Sequence, residues 1–203
     1  MNDRLAILHI GVTKTGTSSI QSWLAGNRAP LAAAGIHLPE TLGRQNHERL
    51  ARIVDGTALP VVAERFAAEM AALPATARTL LFTSEAFGSQ LTRADQVAPL
   101  KALLDRHAGA CRVVVYLRRQ DEHAVSSFST AMRAGQTRRT GPLSGRPKDY
   151  EALLDAWAAV FGREAIHPRI FGRGELLGGD VVTDFLATAG IPLPPEATPP
   201  ALE

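Results

Sequence analysis

The sequence predicts an α/β fold with a central, mainly parallel sheet flanked by helices. Short apolar runs alternate with helical patterns from one end of the chain to the other. The clearest runs, Leu5–Ile10, Thr79–Thr83 and Cys111–Leu117, are nearly continuous rather than alternating, as strands covered on both faces are. After each comes a stretch whose apolar residues recur three and four apart, the spacing of a helix with one buried stripe.

In chain order, Leu5–Ile10 is a buried strand that stops at Gly11, and Ile20, Trp23 and Leu24 mark the helix after it. Gly35–Pro39 is a short strand, and Val62, Phe66, Met70 and Leu73 lie on a helix. Thr79–Thr83 is the next strand, followed by a helix through Val97, Leu100 and Leu104. Cys111–Leu117 is β-branched and continuous, with Val125, Phe128 and Met132 on the helix beyond it. Ala134–Lys148, rich in Arg, Gly and Pro, reads as a long mobile loop. Tyr150, Leu153, Leu154, Trp157 and Phe161 form the best amphipathic stripe in the chain. Ala165–Phe171 is a last strand, at an edge because of Pro168, and Val182, Phe185, Leu186 and Ala189 form a last helix. We expect one domain over residues 1–190 and a Pro-rich tail, 191–203, that packs as no regular element.

Composition narrows the function. The 203 residues carry a net charge of only +2, so the chain as a whole is no polyelectrolyte binder and no nucleic acid is expected as partner. One cysteine, Cys111, excludes an internal disulfide framework and a multi-cysteine zinc site. No signal peptide or long apolar stretch is present, so we expect a soluble, cytoplasmic protein without a transmembrane segment. Of 22 basic residues only three are Lys (Lys14, Lys101 and Lys148). With 33 Ala this is the bias of a GC-rich genome, and a Lys inside a glycine loop stands out against it.

That loop is Gly11-Val12-Thr13-Lys14-Thr15-Gly16-Thr17-Ser18-Ser19, between a strand and a helix. Successive amides at a helix N-terminus attract an anion, and glycines let the backbone approach it. The nucleotide-triphosphatase pattern is not met, because Thr17 rather than Lys follows Gly16. Nor does a strand end offer an evident magnesium ligand, with Arg118 after one strand and Ser84-Glu85 after the other. A plain glycine turn capped by Thr or Ser would explain Gly16 and Thr17 but leaves Lys14 without a task. The second stretch is Arg118-Arg119-Gln120-Asp121-Glu122-His123-Ala124-Val125-Ser126, at the end of the Cys111–Leu117 strand. Both Arg are expected to face the first loop, with Ser126 pointing back to the same anion from the next helix. A solvated Arg pair with Asp121 as helix cap is the alternative.

The two stretches together resemble the sulfotransferase superfamily that uses 3′-phosphoadenosine 5′-phosphosulfate (PAPS), in particular its bacterial and carbohydrate-sulfotransferase-like members. The resemblance runs from Leu5 to about Gly190 and implies a P-loop-like three-layer fold. It implies that Lys14, Thr15, Gly16, Thr17 and Ser18 hold the 5′-phosphosulfate, and that Arg118 and Ser126 hold the 3′-phosphate. Lys14 would neutralise charge building on the leaving phosphate, with no metal required. Glu85, at the end of the Thr79–Thr83 strand, looks like the base by analogy with carbohydrate sulfotransferases. A helix-capping or Arg-pairing carboxylate is the alternative, and His47 is the reserve base. Phenol- and steroid-sulfating members carry a Trp after the hydroxyl pair, where this chain has Ser19, so adenine must rest elsewhere, with the 134–148 loop as one candidate. No clear match to the family's C-terminal basic segment is found past Arg173.

The expected reaction is in-line sulfuryl transfer from PAPS to a hydroxyl or an amine of a small molecule or glycan. A sugar or lipid-linked acceptor fits the 5% aromatic content better than a flat aromatic one. Two other readings stay open: a P-loop kinase or nucleotide hydrolase, and a non-catalytic protein that binds PAPS or its desulfated product.

Overall fold

The computed structural model describes residues 3–133, 135, 148–172 and 174–200. Its centre is strand β1 (Leu5–His9), hydrogen-bonded in parallel to β3 (Thr79–Thr83) on one side and β4 (Ala110–Leu117) on the other. The short β2 (Ile36–His37) and the later β5 (Ile166–Ile170) form the edges, giving a five-stranded parallel sheet in the order β2-β3-β1-β4-β5. Pro168 lies on the β5 edge, as expected of a residue without an N–H.

The helices are α1 (Thr17–Gly26), α2 (Arg28–Ala33), α3 (Glu48–Val54), α4 (Pro60–Ala71), α5 (Glu85–Gln90), α6 (Ala94–Leu104), α7 (Gln120–Arg133), α8 (Tyr150–Phe161) and α9 (Val181–Ala189). They cover both faces of the sheet. Ala6, Leu8, Phe82, Val113 and Val115 point into a core shared with α3, α4, α6 and α8. Their neighbours Ile7, Leu81, Val114 and Tyr116 point the other way, into a core with α1 and α9. Because successive strand residues face opposite layers and both are buried, each strand reads as an unbroken apolar run.

Three short helices, α2, α3 and α5, lack a long enough stripe to show in the sequence. In α5, Gly88 lies so close to β1 that a Cβ would come within 2.6 Å of the Ile10 carbonyl oxygen. Trp157 is fully buried, stacks on Phe161 and donates its indole N–H to the Leu91 carbonyl at 2.9 Å, which accounts for the strong α8 stripe. Helix α7 differs from expectation: none of its residues is buried, so Phe128 and Met132 are only half covered and it lies across the sheet's rim. The tail forms no helix or strand through residue 200, yet it packs. Trp23 donates to the Thr198 carbonyl at 2.8 Å, the Thr198 amide donates to Asn27 at 2.8 Å, and Ala197 is buried. Apart from Gly135 and Lys148, the 134–148 loop lies outside the described residues.

Candidate functional site

The strand ends converge where β1, β3, β4 and β5 finish, the rim at which parallel α/β sheets carry their ligands. Residues 10–16 leave β1 still paired to β4: the Val12 amide donates to the Tyr116 carbonyl at 3.1 Å, and the Tyr116 amide to the Gly11 carbonyl at 2.8 Å. The loop is braced from within by the buried Thr15, whose hydroxyl donates to the Val12 carbonyl at 2.6 Å. Lys14 and Gly16 both have left-handed backbones, φ 66 and 72. At Gly16 a side chain would also collide, since a Cβ would lie 2.9 Å from the Phe171 ring and 3.0 Å from Val181.

This conformation leaves a row of amides without an internal acceptor. Among the described residues, no acceptor is found for the backbone N–H of Thr13, Lys14, Thr15, Gly16, Thr17 or Ser18. Six successive donors without an acceptor among the described residues, at the start of α1 and one of them on a lysine, are what an anion site at a helix N-terminus requires.

Arg118 follows β4 and closes the site's far side. It donates to the Lys14 carbonyl at 3.3 Å, pairs with Glu122 at 3.2 Å and lies over the Phe171 ring, 5.5 Å from its centre. Arg119 does not join it. It pairs at 2.8 Å with the exposed Asp121, so the expectation that both arginines face the loop is corrected. The cause is local: an exposed carboxylate two residues away offers Arg119 a partner in solvent.

Two clefts meet at Arg118. One, of about 450 Å³, lies along α7 and is lined by Arg118, Glu122, Ser126 and Arg133 among others. The other, of about 920 Å³, runs between α1, the end of β5 and the start of α9; Ser19, Trp23, Arg118 and Phe171 are in its walls. Phe171 and Trp23 provide the aromatic surface absent at Ser19.

Two polar contacts tie α7 to the loop. Lys14 Nζ donates to the Thr130 hydroxyl at 2.8 Å, and that hydroxyl donates to the Ser126 carbonyl at 3.1 Å. Thr13 Oγ1 and His123 Nε2 share a hydrogen bond of 3.2 Å. Burial lowers the His123 pKa, and the positive charges of Lys148, Arg118 and Lys14 lower it further against an opposing hydrogen bond to the Thr13 backbone, which favours the neutral imidazole.

Glu85 opens α5 directly after β3, with Ser84 capping that helix by accepting from the Ala86 amide at 3.1 Å. The Thr17 hydroxyl donates to Glu85 Oε1. An acidic group therefore stands at the loop. Among the described residues, no cluster of three His, Cys, Asp or Glu is placed to hold a metal ion. Half-buried Lys148 lies on the same side; burial lowers its pKa and the nearby Glu85 carboxylate works against that shift.

His47 is elsewhere. It precedes α3, fully buried, with Nδ1 accepting from the Thr83 amide at 3.1 Å. Burial pushes its pKa down to about 3, so it serves as a fixture of the β3 end rather than a base open to an acceptor. The structure thus brings Lys14, Thr17, Glu85 and Arg118 to one rim, with Ser126 in the adjoining cleft. Sequence reasoning missed His123 and Lys148 as site residues; the rarity of lysine was the one available signal for the latter.

Comparison with known proteins agrees with this geometry at the level of fold. No family model matches the chain. An uncharacterized protein of Archaeoglobus fulgidus is 34% identical over 83 residues, 41% of this chain, and the matched region spans only 23% of that protein's length. The crystal structure of a sulfotransferase from Alicyclobacillus acidocaldarius superposes with a TM-score of 0.59 at 16% identity, covering 98% of this chain and 86% of that one. A sulfotransferase domain from the curacin biosynthetic pathway aligns with 100% of this chain and 79% of its own at 12% identity, TM-score 0.47. The chain therefore has a sulfotransferase-like α/β fold. Among the described residues, no helix is long and apolar enough to cross a membrane.

Proposed function

We propose that this chain is a PAPS-dependent sulfotransferase. The observation that carries the reading is the row of six unpaired amides from Thr13 to Ser18, with Lys14 inside it and Arg118 at its flank. Two adjoining anion subsites beside a cleft with aromatic walls suit a nucleotide phosphorylated at both the 5′ and 3′ positions. PAPS supplies the sulfuryl group. The loop amides and Lys14 hold the 5′-phosphosulfate and neutralise charge on the departing phosphate. Arg118 and Ser126 bind the 3′-phosphate, and Phe171 offers a face to adenine. Glu85 takes the acceptor's proton, and Thr17 keeps that carboxylate aimed at the loop. The acceptor is a hydroxyl or amine of a small molecule or of a carbohydrate, lipid-linked glycans included. The working unit is residues 1–190.

A second reading is supported by the Thr17–Glu85 pair, since a hydroxyl and a carboxylate at a phosphate loop are what a magnesium-nucleotide kinase or hydrolase uses. One experiment separates the two. Adenosine 3′,5′-bisphosphate, without metal, should raise the melting temperature; at about 100 times its dissociation constant the gain is about 2.7 kcal/mol. Stabilisation by ATP with magnesium and none by the bisphosphate would reverse the choice. Turnover of labelled PAPS across a panel of sugar, lipid and amine acceptors then distinguishes an enzyme from a protein that only binds the nucleotide.

A further inference from the structure

Glu122 has no part in that reaction and stands in its way. It lies in the first turn of α7, where its Oε2 accepts from Arg118 Nε at 3.2 Å. Both residues line both clefts. A guanidinium grips a phosphate through two parallel N–H groups, using either the Nε and Nη2 edge or the Nη1 and Nη2 edge. Glu122 engages Nε of the first edge at 3.2 Å, and the Lys14 carbonyl accepts from Nη1, one of the two nitrogens of the second, at 3.3 Å. The ring of Phe171 lies against the guanidinium face. The Nε edge cannot hold a phosphate with two bonds until Glu122 leaves it, and Nη1 of the other edge is already engaged by a carbonyl.

Of the two acceptors, the carboxylate is the freer to leave. The Lys14 carbonyl belongs to a braced loop, whereas the Glu122 side chain is 43% exposed on a helix surface and can rotate into water. It also carries a negative charge that would otherwise face the incoming phosphate.

We infer that Glu122 is a built-in competitor for Arg118: its carboxylate takes the 3′-phosphate's position in the free protein, and its return to Arg118 hastens discharge of the spent bisphosphate. This rests on the sulfotransferase reading and adds a step to its cycle. Glu122 sets how long the 3′-phosphorylated nucleotide stays, at some loss of affinity.

The test is Glu122→Gln, which keeps the side chain's shape and removes its charge. Calorimetry should show adenosine 3′,5′-bisphosphate binding about fivefold more tightly, the scale of one exposed ion pair. Stopped-flow displacement should place the gain in a slower dissociation rate. Adenosine 5′-phosphate, lacking the 3′ group, should bind as before, and in an Arg118→Ala background the substitution should have no effect. Unchanged or weaker bisphosphate binding would overturn the proposal, because Glu122 would then be holding Arg118 in place for the ligand. Equal tightening of both nucleotides would overturn it too, as a general charge effect. If the unaltered protein binds no bisphosphate, the sulfotransferase reading itself falls, an outcome distinct from either. Glu122 is on the surface, and matching thermal melts would exclude misfolding of the variant.

Discussion

The Thr17 hydroxyl donates to Glu85 Oε1, tying the first residue of α1 to the first residue of α5 across the sheet's rim. The anion loop and the proposed base are therefore one unit. Behind them, a Cβ at Gly11 would lie 3.3 Å from Glu85 Cα, so the loop and the start of α5 are in close backbone contact as well.

This pair makes Glu85→Gln an informative substitution. The amide oxygen can still accept from Thr17, so the loop should keep its shape and nucleotide affinity should stay nearly unchanged. Without the basic oxygen, turnover should fall by at least about 100-fold, the lower end of what a general base supplies. Steady-state rates alongside calorimetric nucleotide binding would check this. Near-normal turnover would move the base elsewhere, and the neutral His123 on Thr13 would be next to examine.

Arg118→Ala should separate the two phosphate subsites. Loss of a hydrogen bond to a charged group is worth about 1.5–3 kcal/mol, and the bisphosphate should lose that much affinity. Adenosine 5′-phosphosulfate has no 3′-phosphate and should be affected little. Equal losses for both ligands in calorimetry would mean that Arg118 acts mainly by bracing the Lys14 carbonyl.

Lys14 combines a chemical role with an unfavourable backbone, since its φ of 66 is a region that suits glycine. Lys14→Gly should therefore hold or slightly raise stability, by up to about 1 kcal/mol, while lowering turnover by about 100- to 1,000-fold. Denaturant melts and rates on the same preparation would show the opposition. A parallel loss of stability and activity would make Lys14, through its hydrogen bond to Thr130, a structural tie first.

Stability should fall early on acidification. His9 and His47 are buried and neutral, their pKa values pushed down by burial from the ordinary 6.5 to about 3. Between those values the unfolded chain binds protons that the folded chain refuses. Stability is thus full above about pH 6.5 and declines as pH falls, by up to about 1.4 kcal/mol per pH unit for each histidine. Asp184 acts in a lower window. Burial raises its pKa, but hydrogen bonds from Arg169, Leu177 and Tyr116 outweigh this and hold it below the ordinary 3.8. Its contribution is present above 3.8 and is lost as pH falls through the folded value. Denaturant titrations from pH 7.5 to 4.5 should show the slope, and His9→Asn should cut it by about half, leaving the His47 contribution. A flat profile down to pH 5 would show that the buried rings take up protons in the folded state.

The parallel sheet and the loop at its rim were legible because their signals are local. A strand buried on both faces is an unbroken apolar run, and a glycine-punctuated turn between strand and helix spans fewer than ten residues, as at Gly11–Ser19. Thr79–Thr83 matches β3 at both ends for that reason. Helices α2, α3 and α5 escaped because six or seven residues cannot display a repeated stripe. Other features depend on distant partners. The tail packs because Trp23 and Asn27 meet Thr198. Arg118 turns inward to the Lys14 carbonyl while Arg119 turns out to Asp121, although the sequence presents two adjacent, equivalent side chains. Glu85 reaches Thr17 from 68 positions along the chain, and His123 reaches Thr13 from 110. Spacing along a chain encodes which face of a helix or strand a residue occupies, but not which remote group that face will meet. Those meetings arise only when the sheet order places the ends of β1, β3 and β4 side by side.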